Sequence, residues 1–138
     1  MKVIILNGSP KAKGNTATAL REVEKTLHQQ GIETDWIHVG HRDIRGCIAC
    51  NGCWKSGRCA FDDVVNEISA KMREADGLLV GSPVYFASPN GTILALLDRL
   101  FYSNLHTDWT MKVGASVSIA RRAGTVSTMD ALNKYFLK

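Results

Sequence analysis

The sequence predicts an α/β chain: an open parallel sheet with helices on both of its faces. Three observations carry this expectation. Strand-like and helix-like segments alternate four times along the 138 residues, the pattern of consecutive βα units. The strand candidates KVIIL and GLLVGSP are short apolar runs, which reads as buried strand. Each predicted strand also runs into a loop too unusual to be a mere connector, and open parallel sheets bind ligands beyond the carboxyl ends of their strands, where strand order reverses.

The elements follow in order. Residues 2–6, KVIIL, end in NGSP and read as a strand entering a loop. From Thr16 to Gln30 the apolar residues Leu20, Val23 and Leu27 recur at helical spacing, and Gly31 closes the helix. Residues 33–39, ETDWIHV, give a second strand, and a segment without strong periodicity fills about 42–61. Asp62 and Asp63 are positioned to cap a helix through Ala75, with Val64, Val65, Ile68 and Met72 on one face. Residues 77–82 form the third strand, PVYFASPNG a loop and TILALLDRLF a helix. KVGASVSI, 112–119, is the fourth strand, RRAG a loop, and TVSTMDALNKYFLK the last helix. There are no repeats or low-complexity segments.

Length and composition fit one domain spanning 1–138, with a cysteine-rich insertion at about 42–61; hydrophobic residues at 45% and charged ones at 22% are ordinary for a soluble globular protein. The N-terminal apolar run, Val3–Leu6, is four residues, too short for a signal-peptide core, and no eighteen-residue apolar stretch exists. The expectation is a soluble, cytoplasmic protein without a membrane partner. The net charge of +4 comes from seventeen Lys and Arg scattered along the chain, with Arg121–Arg122 the only adjacent pair. That distribution argues against a nucleic-acid partner and suits a phosphate-bearing cofactor or an acidic partner.

The loop Gly8–Thr16, GSPKAKGNT, leaves the first strand and opens the first helix. Unpaired N–H groups and the helix dipole favour an anion there. Ser9, Gly14, Asn15 and Thr16 can cradle a phosphate, with Lys11 or Lys13 adding charge from the rim. A mononucleotide P-loop is excluded, because the spacing is G-x5-G and Asn15 stands where its lysine belongs; no G-x-G occurs, which excludes the dinucleotide fingerprint. A compact hydroxyl-rich loop suits a single phosphate monoester, as in FMN. In the third loop, Pro83, Val84, Tyr85 and Phe86 offer a stiff turn and an apolar wall for an isoalloxazine ring. In the fourth loop Arg121 and Arg122 offer either positive charge near that ring or a solvated basic loop.

With these residues the chain resembles the flavodoxin-like NADPH-dependent FMN reductase family, through VIILNGSPKAKGNT, GSPVYF, the DRLF helix end and ARRAGT. The resemblance implies a flavodoxin-like fold with FMN held at the phosphate by Ser9, Asn15 and Thr16 and at the ring by Pro83 to Phe86, and it brings NAD(P)H in as a co-substrate. All four cysteines lie in CIACNGCWKSGRC, spaced C-x2-C-x2-C-x5-C and followed by a DD pair. Within the family this looks like the iron–sulfur flavoproteins. By that resemblance Cys47, Cys50, Cys53 and Cys59 are ligands of a 4Fe–4S cluster that exchanges electrons with the flavin, in the same subunit or a neighbouring one.

Read by spacing alone, three cysteines two residues apart and a nearby fourth can wrap an iron–sulfur cluster. Zinc sites generally separate two ligand pairs more widely, and a redox pair at Cys47/Cys50 or Cys50/Cys53 leaves two thiols unexplained. A metal-free cysteine loop is the fourth alternative. A five-stranded flavodoxin-like sheet has order 2-1-3-4-5, whereas this sequence predicts 2-1-3-4 with the fifth strand missing. Strand four is then an open edge, expected either because the chain is a truncated form or because a partner subunit completes it.

The sequence thus favours an FMN- and cluster-containing oxidoreductase, a homo-oligomer taking electrons from a ferredoxin-type protein and passing them to a small-molecule acceptor. The alternatives are a cluster-free NAD(P)H-dependent FMN or quinone reductase, and a non-enzymatic flavodoxin-like module with zinc or free thiols. The dispersed His28, His38, His41 and His106 receive no role.

Overall fold

The computed structural model describes residues 1–107 and 109–137. The strands are β1 (Lys2–Asn7), β2 (Glu33–His38), β3 (Gly77–Tyr85), a two-residue β4 (Ser88–Pro89) and β5 (Val113–Ile119). The helices are α1 (Asn15–Gln29), α2 (Cys53–Ser56), α3 (Val64–Glu74), α4 (Gly91–Ser103) and α5 (Thr125–Asn133), which tightens into a 3-10 turn over Lys134–Leu137. β2, β1, β3 and β5 run parallel in that order, with Asn7 opposite both His38 and Gly81, and Pro83 opposite Ile119. The carboxyl ends of all four strands therefore share one rim, and the strand expected fourth lies beside β3 as predicted.

Two segments differ from the sequence expectation. β3 runs on to Tyr85, and the residues expected to be loop turn back at Phe86–Ala87 so that β4 pairs antiparallel with its end. The cysteine segment contains the short helix α2, which stops where Gly57 adopts φ +68°.

The core is divided unequally by the sheet. On one face Ile4, Leu6, Leu78 and Val80 pack against Val65, Ile68 and Met72 of α3, Ile93, Leu96, Leu97 and Leu100 of α4, and Leu132 of α5. On the other, Ile5, Leu20 and Leu79 form a small cluster under α1, joined by Val117. The far edge of β5 pairs with no strand among the described residues. Val113, Gly114 and Ala115 at its start are exposed, so the predicted open edge is present in the single chain. No helix among the described residues is long and apolar enough to cross a membrane.

Candidate functional site

The loop after β1 is pinned from both neighbouring strands. Gly8 donates its N–H to the Gly81 carbonyl at 2.8 Å. A Cβ on Gly8 would stand 2.8 Å from that same oxygen, and one on Gly40 2.3 Å from the backbone of Gly8 and Ser9. Glycine is required at both positions because backbone passes against backbone. The Asn7 carbonyl accepts from the N–H groups of Val39 and Gly40 at 3.0 and 3.1 Å. Its side-chain Oδ1 accepts from the Ser9 N–H at 3.0 Å, while the fully buried Nδ2 finds no partner. His38 Nε2 lies 2.7 Å from the Ser9 carbonyl oxygen, so a histidine given no role from sequence helps hold the loop.

The cap position of α1 is Gly14, which has no side chain, and the first-turn N–H groups receive no side-chain cap. Ser9 and Thr16 are buried, whereas Lys11 and Asn15 are exposed at the rim. The Ser9 Oγ accepts from the Lys11 N–H at 3.2 Å, which folds the loop over itself. An uncapped helix start with buried hydroxyls, beside an amide N–H lacking a partner, is a site prepared for an anion.

The β3–β4 hairpin rises beside it. Phe86 and Ala87 take φ of +50° and +58°, a turn that normally calls for Asn or Gly and that stores strain here. Phe86 is fully exposed and Tyr85 half exposed, while Pro83 and Val84 are partly buried. The loop after β5 and the first turn of α5 brace the hairpin: Ser127 donates to the Ala87 carbonyl at 2.9 Å, and Gly124, at φ +94°, passes so close that a Cβ would meet Ala87 Cα at 2.8 Å. Arg121 is exposed just beyond the end of β5. Three of the four predicted loops thus meet at the rim of β1, β3 and β5.

The fourth goes elsewhere. The cysteine segment runs out over α4, and all four thiols line one pocket with Phe61, Arg99, Tyr102 and Ser103. Arg99 stands eight residues, or about 12 Å, along α4 from its start, and the pocket shares no lining residue with the phosphate loop or the hairpin. No disulfide forms, and no three His, Cys, Asp or Glu side chains among the described residues come close enough to hold a single metal ion. The loop winds through Ala49 and Asn51 at φ +52° and +55°, and the Ala49 N–H points at Cys47 Sγ, 3.4 Å away. Tyr102 donates its hydroxyl to Asn51 at 3.0 Å, tying the loop to α4. Burial is the main cause that raises the Cys53 pKa, and the nearness of Cys50, Cys59 and Cys47 adds to it.

Cys59 is the most firmly held. Asn66 accepts from its N–H at 2.9 Å and donates back to its carbonyl at 3.1 Å. Arg99, whose side chain is fully buried, donates from Nε and Nη2 to Cys59 Sγ, both at 3.3 Å. Its other N–H groups grip Asp63 at 2.7 and 2.9 Å and reach the carbonyls of Phe61 and Arg45. Burial opposes the arginine charge, but Asp63 and Cys59 outweigh it and hold the pKa above the ordinary value. Asp63 also caps α3 by accepting from the Val65 N–H at 3.0 Å. Sequence reasoning missed Arg99 and Asn66; the available signal was an arginine inside the apolar stripe of α4.

An uncapped helix, an aromatic hairpin and a basic loop on one rim of a parallel sheet define a class: flavodoxin-like, flavin-dependent oxidoreductases. Residues 1–137 match the NADPH-dependent FMN reductase family, and the chain belongs to it. An iron–sulfur flavoprotein of Methanocaldococcus jannaschii is 37% identical over 139 residues, covering 99% of this chain and 72% of the relative. Among solved structures, RosB with bound 8-demethyl-8-formylriboflavin-5′-phosphate superposes with a TM-score of 0.78 at 19% identity, over 99% of this chain and 58% of that one. An NAD(P)H:quinone oxidoreductase from Methanothermobacter marburgensis gives 0.74 at 15% identity, over 98% and 75%. The structural likenesses establish the fold. This chain therefore spans little more than half of RosB and under three quarters of the archaeal relative.

Proposed function

We propose that the chain is a single flavodoxin-like domain that uses FMN and a 4Fe–4S cluster held by Cys47, Cys50, Cys53 and Cys59 to carry electrons from a protein donor to a small acceptor. The observation that carries this reading is the convergence of all four thiols on one pocket, with N–H donors directed at two of their sulfurs. A lone zinc needs thiolates about 3.8 Å apart, from its Zn–S distance of about 2.3 Å. A cluster takes one thiolate on each iron and so accommodates a wider set. The relative's name, iron–sulfur flavoprotein, agrees.

The rim residues fit FMN. Ser9, Asn15, Thr16 and the first N–H groups of α1 would receive its phosphate, with Gly14 at the cap leaving room for it and Lys11 alongside. Pro83, Val84, Tyr85 and Phe86 would wall the ring, with the Arg121 charge nearby. RosB holds a riboflavin 5′-phosphate derivative on the same fold. When bound, FMN supplies the hydride and electron chemistry. The protein's part is to fix phosphate and ring, keep water from the apolar wall, and hold positive charge at the rim. No protein acid–base pair is required.

A ferredoxin-type donor and assembly with a second copy of the chain belong to the same proposal. The rival is a cluster-free NAD(P)H-dependent FMN or quinone reductase, favoured by the family and by the quinone oxidoreductase of the same fold. Anaerobic mixing separates the two. A reduced ferredoxin-type donor should bleach the flavin absorption of the parent but not of Cys50→Ser. Fast bleaching by NADPH alone, equal in parent and variant, would support the rival and overturn the cluster's role.

A further inference from the structure

Arg99 is the only arginine with a fully buried side chain among the described residues. Taking a guanidinium out of water costs several kcal/mol in general, and apolar residues of similar size often serve stability as well. Its position in α4, between the buried Leu96, Leu97 and Leu100, is one where leucine would pack. What leucine cannot supply is a fork with donors on two sides.

One side of the fork is spent on Asp63, in a bidentate pair that fixes the plane of the group. The other side presents Nε and Nη2 to a single sulfur, Cys59 Sγ. Asn66 holds the backbone of the same cysteine. Cys59 is thus fixed at main chain and at sulfur by residues from two helices, whereas Cys47 receives one backbone N–H. Core stability alone does not require that asymmetry.

We propose that Arg99 is a positioning residue of the cysteine site: it fixes the Cys59 sulfur and, through its N–H groups, sets the reduction potential of the cluster held there, an inference that rests on the cluster reading above. Hydrogen bonds to cysteine sulfurs favour the more negative, reduced state and so raise the potential. Asp63 acts in the opposite sense, because its charge offsets the arginine while orienting it.

The test is anaerobic reconstitution with iron and sulfide, quantification of iron per chain, and a reductive titration of the cluster signal in the parent, Arg99→Lys and Asp63→Asn. Lysine keeps the charge but loses the fork, and should lower the potential by roughly tenfold in the reduction equilibrium, ~59 mV for one electron. Asparagine keeps an acceptor for the Val65 N–H and removes the offsetting charge, so the potential should rise. A merely structural role would not move the two variants in opposite directions. A parent that loads no iron would overturn the cluster reading and this inference with it. A loaded parent with an unchanged potential in Arg99→Lys would overturn the inference alone. If Arg99→Lys fails to load, Asp63→Asn decides: a raised potential supports the role of Arg99, and an unchanged or lowered one refutes it.

Discussion

Thr16 is 2% exposed at the uncapped start of α1, where the proposed phosphate site lies. Replacing it with alanine should weaken FMN binding by about 5- to 30-fold, the range for a hydrogen bond of about 1–2 kcal/mol. Fluorescence titration of the apoprotein reads this directly, and an unchanged affinity would move the phosphate away from this helix. Tyr135 carries a different dependence. It donates to Asp98, and burial first, then that carboxylate, push its pKa far above the usual tyrosine value. A proton held more tightly in the folded state stabilises the fold fully below the unfolded pKa of about 10 and progressively less as pH rises beyond it. The advantage of the parent over Tyr135→Phe in urea melts should therefore hold up to about pH 9 and shrink as the pH rises past about 10. A constant difference would show that the ionisation of Tyr135 is not linked to folding.

At the scale of elements, the contact that matters most is backbone on backbone: the turn after β2 pressed against the phosphate loop at Gly40. Gly40→Ala forces a Cβ into the main chain of Gly8 and Ser9 and should cost about 2 kcal/mol or more, as overpacking does. It should also weaken FMN binding, since Ser9 must shift; lost stability with unchanged affinity would separate the two loops. Much of this arrangement was legible in the sequence. Strand and helix alternation and the apolar β-branched runs predicted the sheet order, and GSPKAKGNT was readable as the loop that leaves the first strand and opens the first helix. Other parts were not legible, for physical reasons. The Phe86–Ala87 turn carries neither glycine nor asparagine, so nothing local announces a hairpin. The ties from Arg99 to Asp63 and Cys59 span 36 and 40 residues and exist only once α3 and α4 pack. The route of the cysteine segment over α4 depends on the same packing.

At the scale of the molecule, the sheet is covered unequally. Among the described residues, three helices pack one face and α1 the other, and Val113 and Ala115 stand exposed on the α1 side of a strand whose outer edge pairs with no described strand. Exposed edge strands pair readily with other chains. Light scattering should therefore find the purified chain associated at micromolar concentration, and Val113→Lys should shift it toward monomer. A monodisperse monomer would show that the edge is tolerated bare. Whether two redox centres share this small domain is read by anaerobic reconstitution followed by counting iron, zinc and FMN per chain. About four irons and one FMN are expected, with iron lost and FMN retained in Cys59→Ser. One FMN with no iron, or with a single zinc, would contradict that expectation and leave the cysteine pocket outside the electron path.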